Sequence, residues 1–311
     1  MPRFGKGKPM KEQARAYLKT FLSLTSRHQE KQRQGLKGGQ ATGKIHSIRT
    51  FDAYQKTLAQ AGNWLREQYG IAYLKDITPT QADAYLAHRA AQRVSQKTLN
   101  NDRVALEYVT GRGTLTRVKT TAPNMPLRGR AYTAQQVQLI AEHQTARHAL
   151  STRIAYATGL RAHELMTLQR STEAIPSPHR AWHPDRFVGR EGVTYLVTGK
   201  GGLRRAVCLP APLSQALEAR RLATPKPIRD RGVNYQQHYD IGAGNAWSRS
   251  VTDASIRALG WSTGAHGLRH AYAQERLEEL QCRGFAYDDA RRIVSQELGH
   301  FRADVTNVYL R

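Results

Sequence analysis

The feature that most constrains this chain is a break near its middle. The stretch TTAPNMPLRGR (120–130) holds two prolines, a glycine and two arginines, a mixture that neither continues a helix nor pairs as a central strand. Apolar residues before the break recur only at helical spacing, whereas helix-like and strand-like patterns mix after it. At roughly 150 residues per domain, a chain of 311 residues also points to two domains.

In the first part, Phe51, Tyr54, Leu58, Ala61, Trp64 and Leu65 recur at three and four, which predicts an amphipathic helix closed near Gly70. Thr78-Pro79 supplies a cap and a first-turn proline for a second helix, and Ser95 caps a third. A helical domain is expected over 44–118, followed by a linker over 119–130. Residues 1–43 are basic, and KQRQGLKGGQATGK (31–44) has no apolar period. They read as a flexible arm, with Tyr17, Leu18, Phe21 and Leu22 making one short helix.

The second domain is expected over 131–311. Thr133 caps a helix, a further helix runs through Ala149 to Leu160, and STEAIPSPHRAWHPDR (171–186) is turn-rich. VTYLVTGKGGLRRAVCLP (193–210) places two β-branched, apolar segments around Gly-Lys-Gly-Gly, a β-hairpin with Lys200 at its tip. Helices are expected at 212–222, 252–259, 266–280 and 287–298. The fold class is therefore mainly α with a small β-sheet or hairpin, in two domains.

Forty-eight Lys+Arg against 24 Asp+Glu give a net charge of +24, which calls for a polyanionic partner. Segments 1–50, 51–128 and 129–311 contribute +10, +5 and +9, so the surplus runs along the whole chain and a basic tail on a neutral enzyme is disfavoured. Cys208 and Cys282 have no CxxC partner, which argues against a disulfide scaffold or a zinc cluster. With no long apolar run and no apolar segment in MPRFGKGKPMK, neither a membrane span nor a secretory leader is expected.

Five segments of the second domain hold what phosphodiester chemistry needs: ATGLRAHEL (157–165), VTGKGG (197–202), HGLRH (266–270), LGH (298–300) and TNVY (306–309). His266 and Arg269 at i and i+3 share one helical face. Arg161 supplies a second guanidinium, and two planar forks suit the extra charge of a pentacoordinate phosphorus. Lys200 is a reachable proton donor. The Tyr309 phenol is a nucleophile that becomes useful where cations stabilise the phenolate.

The order GLRAHEL, GKGG, HGLRH, LGH and then Tyr309 resembles the tyrosine recombinase, or phage integrase, family over about 130–311. SIRTFDAYQKTLAQAGNWL and SQKTLNNDRVAL are similar, less specifically, to that family's helical core-binding domain. The resemblance implies a two-domain clamp around duplex DNA, with a helical core-binding domain and a mixed α/β catalytic domain. Arg161, Lys200, His266, Arg269, His300 and Tyr309 would be catalytic, with Glu164 buttressing Arg161 and His270 supporting. It further implies cleavage through a 3′-phosphotyrosyl link without metal or other cofactor, a homo-oligomer that is a tetramer on synapsed sites, no membrane, and a cytoplasmic, nucleoid-associated location. The long Arg161–Lys200 interval, containing His179, Trp182 and His183, departs from the pattern and suggests an extra loop.

Competing readings are weaker. His266 and His270 have the HxxxH spacing of zinc ligands, but residue 267 is Gly, no third ligand is near, and Arg269 would repel a cation. Glu164 as a general base is less favoured than Glu164 as a structural partner of Arg161. Gly199, Gly201 and Gly202 lack the GxxxxGK[ST] pattern and lie between strands, against a nucleotide loop. Asp240, Asp253 and Asp304 lack the spacing of a metal-dependent nuclease. A type IB topoisomerase, or a catalytically silent DNA-binding accessory factor, remains the alternative function.

Overall fold

The computed structural model describes residues 8–23, 25, 27–37, 40–123, 128–178 and 180–310, with the backbone alone at His28 and Lys200. The chain separates into two compact units, Met1–Pro126 and Leu127–Arg311.

The described part of the first unit is built on helices: α1 (Met10–Lys19), α2 (Arg27–Arg33), α3 (Ile48–Tyr69), α4 (Pro79–Ala91) and α5 (Gln96–Thr110). Thr78 and Ser95 start α4 and α5 by accepting the main-chain N–H groups of Gln81 and Thr98, two of the donors a helix start leaves without partners. Leu58, Ala61 and Leu65 of α3 meet Leu86 of α4 and Leu106 of α5 in a dry core. Asp102, buried on α5, joins three helices by accepting from Thr57 Oγ1 at 2.8 Å and Arg89 Nε at 3.2 Å.

Of the arm expected over 1–43, the short helix at Tyr17 and Leu18 is present but begins at Met10 and ends at Lys19, and it packs on this unit. Met10, Ala14 and Leu18 of α1 are buried in the core of this unit. The buried Gln13 side chain donates to the Ala72 carbonyl and accepts from the Leu74 N–H. Leu22 then bridges Ile45. Three apolar residues spaced by four among charged ones make a stripe too narrow for the periodicity to show. α1 also depends on Gly62 of α3, where a Cβ would lie 2.8 Å from Leu74 Cδ2 and 2.9 Å from Met10 Sδ.

The second unit begins with α6 (Ala134–Glu142), capped by Thr133, and α7 (Ala146–Thr158). Strands β1 (Gln169–Arg170), β2 (Val193–Thr198) and β3 (Arg204–Leu209) form an antiparallel sheet in that order, with Val193 opposite Leu209 and Thr198 opposite Arg204. Its Tyr195, Val197, Val207 and Leu209 pack into one core with Trp247, Ile154 and Leu268. Then come α8 (Ala211–Glu218), a ribbon of β4 (Arg221–Asp230) and β5 (Val233–Tyr239), α9 (Gly244–Leu259), α10 (His266–Cys282) and α11 (Tyr287–Glu297). A 3-10 turn, Ala303–Val308, leads to Tyr309.

Several expected boundaries move. α8 stops at Glu218 rather than 222 because Arg221 already pairs with Tyr239. α9 starts eight residues before 252, at Gly244, and α7 ends at Thr158 on the left-handed Gly159. The second ribbon was not anticipated at all. Pro225 and Pro227 in β4, and the polar run NYQQH in β5, conceal a strand pattern. Among the described residues no helix is long and apolar enough to cross a membrane.

Replacing Gly62 with leucine should force α1 off α3 and cost about 1–3 kcal/mol, read as a lower urea midpoint for the first unfolding transition. An unchanged midpoint would show that α1 does not rely on this close approach.

Candidate active site

Four chain segments of the second unit supply the site. Arg161 lies just beyond the end of α7, and Glu164 turns back from the following 3-10 turn to accept both the Arg161 main-chain N–H and its guanidinium, each at 2.9 Å. Glu164 is wholly buried and faces three guanidinium groups: Arg161, Arg205 at 2.9 Å and Arg269 at 3.9 Å. Burial alone would raise its pKa, but the charges of Arg205, Arg161 and Arg269 outweigh it and hold the carboxyl well below the usual range. Glu164 is therefore an anion here, and donors from Arg161 and Arg205 occupy both of its oxygens, which leaves no room for a general base.

Arg269 lies in the first turns of α10 and is itself completely buried. One guanidinium nitrogen donates to the Gly159 carbonyl at 2.5 Å, at the C-terminus of α7, and the other to the Leu298 carbonyl, at the C-terminus of α11. Helix C-termini present unpaired carbonyls and partial negative charge, so one cation closes both. Burial and the neighbouring Arg161 lower its pKa to about 10, which leaves it charged at neutral pH.

His300 joins the two arginines. Its Nε2 lies 2.7 Å from Arg161 Nη2 and 3.1 Å from Arg269 Nη2. Guanidinium groups only donate, so Nε2 accepts and the ring carries its proton on Nδ1. Burial and the charges of Arg269, Arg161 and Arg205 push the His300 pKa down to about 3. His266, whose ring keeps an open edge, is desolvated by its other neighbours and faces Arg269, which brings it to about 4. Both are neutral imidazoles at pH 7.

Tyr309, only 5% exposed, completes the cluster. Its ring lies 5.5 Å from that of His266, 5.1 Å from His270 and 5.9 Å from His300, with the Arg269 guanidinium 5.2 Å over its face. Gln274 holds its main-chain carbonyl at 3.0 Å. His270, buried on α10, packs against the tyrosine from below His266. Lys200 begins the 3-10 turn Lys200–Gly202 at the β2–β3 tip, where Gly201 and Gly202 have φ of +80° and +81° that a side chain would strain. The Lys200 side chain, like all of His179, lies outside the described residues.

A cleft of about 340 Å³ opens beside the cluster, lined by Arg161, Arg205, His300, Phe301 and Arg302 among others. Two residues of this neighbourhood escaped sequence reasoning. Arg205 of β3, 1% exposed, forks between Glu164 Oε2 and the Glu297 carbonyl. Glu297, also buried, accepts from Arg276, the Tyr272 hydroxyl and the Phe187 N–H. That last bond, with His183 N–H to Gln296 and Arg276 to the Val188 carbonyl, fastens the inserted segment onto α10 and α11. An arginine within the apolar run of a buried strand was the one available signal; nothing local marks Glu297.

Comparison with known proteins agrees with this architecture. Residues 42–110 match the family model for the phage integrase N-terminal SAM-like domain. No curated protein matches. Among solved structures, the XerH site-specific recombinase bound to difH substrate in a pre-cleavage complex is 17% identical, with 99% of this chain and 94% of that chain covered and a TM-score of 0.56. A lambda integrase tetramer bound to a Holliday junction is 16% identical, with 99% and 82% covered and a TM-score of 0.52. At such identity the likeness is one of fold, and the fold is that of the tyrosine recombinases.

Because the folded His300 pKa lies below the value of about 6.5 for a free histidine, the unfolded chain binds more protons between about pH 3 and 6.5. Stability should therefore fall as pH drops through that window. Replacing His300 with Gln should flatten the fall, seen by comparing melting temperatures of both proteins at pH 7 and pH 5. A parallel pH response would mean that His300 is not held neutral by the arginines.

Proposed function

We propose that the protein is a site-specific DNA recombinase or integrase that cleaves and rejoins strands through a 3′-phosphotyrosyl intermediate. The observation that carries the reading is one neutral imidazole, His300, bridging two guanidinium groups beside a buried tyrosine. Such an arrangement suits a phosphodiester whose charge rises during attack, with fixed cations where that charge develops.

In the forward step the Tyr309 oxygen attacks phosphorus and gives its proton to solvent water, a P–O bond to tyrosine forms, and the bond to the 5′-oxygen breaks. Lys200 gives that leaving oxygen a proton. Arg161 and Arg269 stabilise the equatorial oxygens, His266 and His300 hold the phosphate as neutral donors, Glu164 fixes Arg161, and His270 supports Tyr309. In the return step a 5′-hydroxyl gives its proton back to Lys200, attacks the phosphotyrosine and expels the phenolate, which regains a proton from solvent, so no metal, nucleotide or other cofactor enters. The partner is double-stranded DNA. Strand exchange between two sites calls for a homo-oligomer, read here as a tetramer, acting on the nucleoid in the cytoplasm.

A nicked suicide duplex, in which the cleaved end diffuses away, should trap an SDS-resistant adduct attached at Tyr309 and absent from Tyr309→Phe. Attachment elsewhere in the chain would remove Tyr309 from its role, and absence of any adduct from a substrate the protein binds would sink the reading. Joint products between two differently labelled duplexes separate strand exchange from simple relaxation.

Lys200 can be isolated by changing the leaving group. A 5′-bridging phosphorothiolate, whose sulfur leaves without a proton, should restore cleavage to Lys200→Ala but not to Arg269→Ala. Equal rescue of both, or rescue of neither, rules out the lysine as the acid.

A further inference from the structure

The β4–β5 ribbon has no part in the chemistry above, yet its tip is tied to the turn that carries Arg161. Asp230, the last residue of β4, accepts the Asn245 N–H at 3.0 Å, and the preceding Gly244 N–H donates to the carbonyl of Ala162, next to Arg161. Arg231 and Gly232 join the strands with φ of +46° and +79°, a two-residue turn of the tight kind that matches strand twist. The ribbon tip and the turn carrying Arg161 are thus both anchored at the start of α9.

Its two faces differ. Register pairs Arg229 with Asn234, Ile228 with Tyr235, Pro227 with Gln236 and Lys226 with Gln237. Alternation puts Ile228, Asp230, Tyr235 and Gln237 on the face toward the body of the unit, where all four are buried or half-buried and Gln237 bonds the Ile241 carbonyl. The opposite face presents Pro227, Arg229, Asn234 and Gln236, all exposed. Arginine, asparagine and glutamine are the side chains that make paired hydrogen bonds to guanine and adenine edges, and a B-form major groove is wide enough for a two-stranded ribbon. The exposed Arg231, at the turn and 2.9 Å from Asp230, adds a cation at the tip of the ribbon.

We propose that the outer face of this ribbon enters the major groove of the bound duplex and reads base pairs through Arg229, Asn234 and Gln236. The proposal rests on the recombinase reading and gives it a determinant of target sequence. A protein strand adding to the ribbon is the less favoured occupant, because Pro225 and Pro227 remove N–H donors from β4.

The test is selection of bound duplexes from a random library, with full-length wild type and with Arg229→Ala, Asn234→Ala and Gln236→Ala run side by side. These side chains are exposed and outside the catalytic cluster, so covalent trapping on non-selective suicide duplexes should persist in each variant. Each substitution should erase preference at one or two adjacent base pairs, by about tenfold or more, while the rest of the selected site is unchanged. Methylation of guanine N7 at the affected positions should block wild type and leave Arg229→Ala indifferent. A uniform loss of affinity with base preferences intact would make the ribbon a phosphate contact and overturn the proposal, as would selected sites identical to wild type. Should wild type select no sequence and form no adduct, the recombinase reading itself falls, a result distinct from either.

Discussion

The second unit depends on a single buried carboxylate. Glu164 has no exposed surface, and three arginines that would otherwise repel one another converge on it. Removing one partner of such a buried set strands the others, at about 3–5 kcal/mol, far beyond what surface ion pairs contribute. With one anion among three cations, the cluster stays electron-poor by design of its neighbours.

Neutral imidazoles are part of the same economy. Had His266 and His300 been protonated, two more cations would sit within reach of Arg269 and the phenol of Tyr309, and the arginines would lose an acceptor. Holding the rings neutral lets them serve as hydrogen-bonding groups while the fixed charge stays on guanidinium groups, whose planar forks have defined directions. Those directions are set from behind: Arg205 ties Glu164 to the Glu297 carbonyl, and Glu297 is held in turn by Arg276 and by the inserted segment at Phe187. A loop that looks like an interruption in the sequence is thereby joined to the ion network behind the cleft.

How much of this was legible in the sequence varies with the physics of each element. α3, α4 and α5 announced themselves through wide apolar stripes and polar caps, and the β2–β3 hairpin through β-branched residues around a glycine turn. Only the end of α1, at Tyr17 and Leu18, did so, because its buried stripe of Met10, Ala14 and Leu18 is one residue wide. β4–β5 did not, because its strands are stabilised by a tight turn and by burial of one face rather than by apolar alternation. That Arg161, Glu164, His266, Arg269, His300 and Tyr309 meet at one place could be anticipated only from the order of short motifs. Arg205 left one faint signal, a charge within an apolar strand, and Glu297 left none, since their importance comes from distant partners, the Glu297 carbonyl lying 92 residues along the chain from Arg205.

The two carbonyls under Arg269 carry a practical consequence. Because this guanidinium terminates α7 and α11 at once, one arginine of the candidate site is also a joint of the scaffold, and its substitution disturbs the architecture. Loss of activity in an Arg269 variant thus confounds two causes. A well-folded variant of the candidate site is better sought at the Tyr309 hydroxyl, whose removal leaves the ring in the aromatic cluster and both helix ends closed.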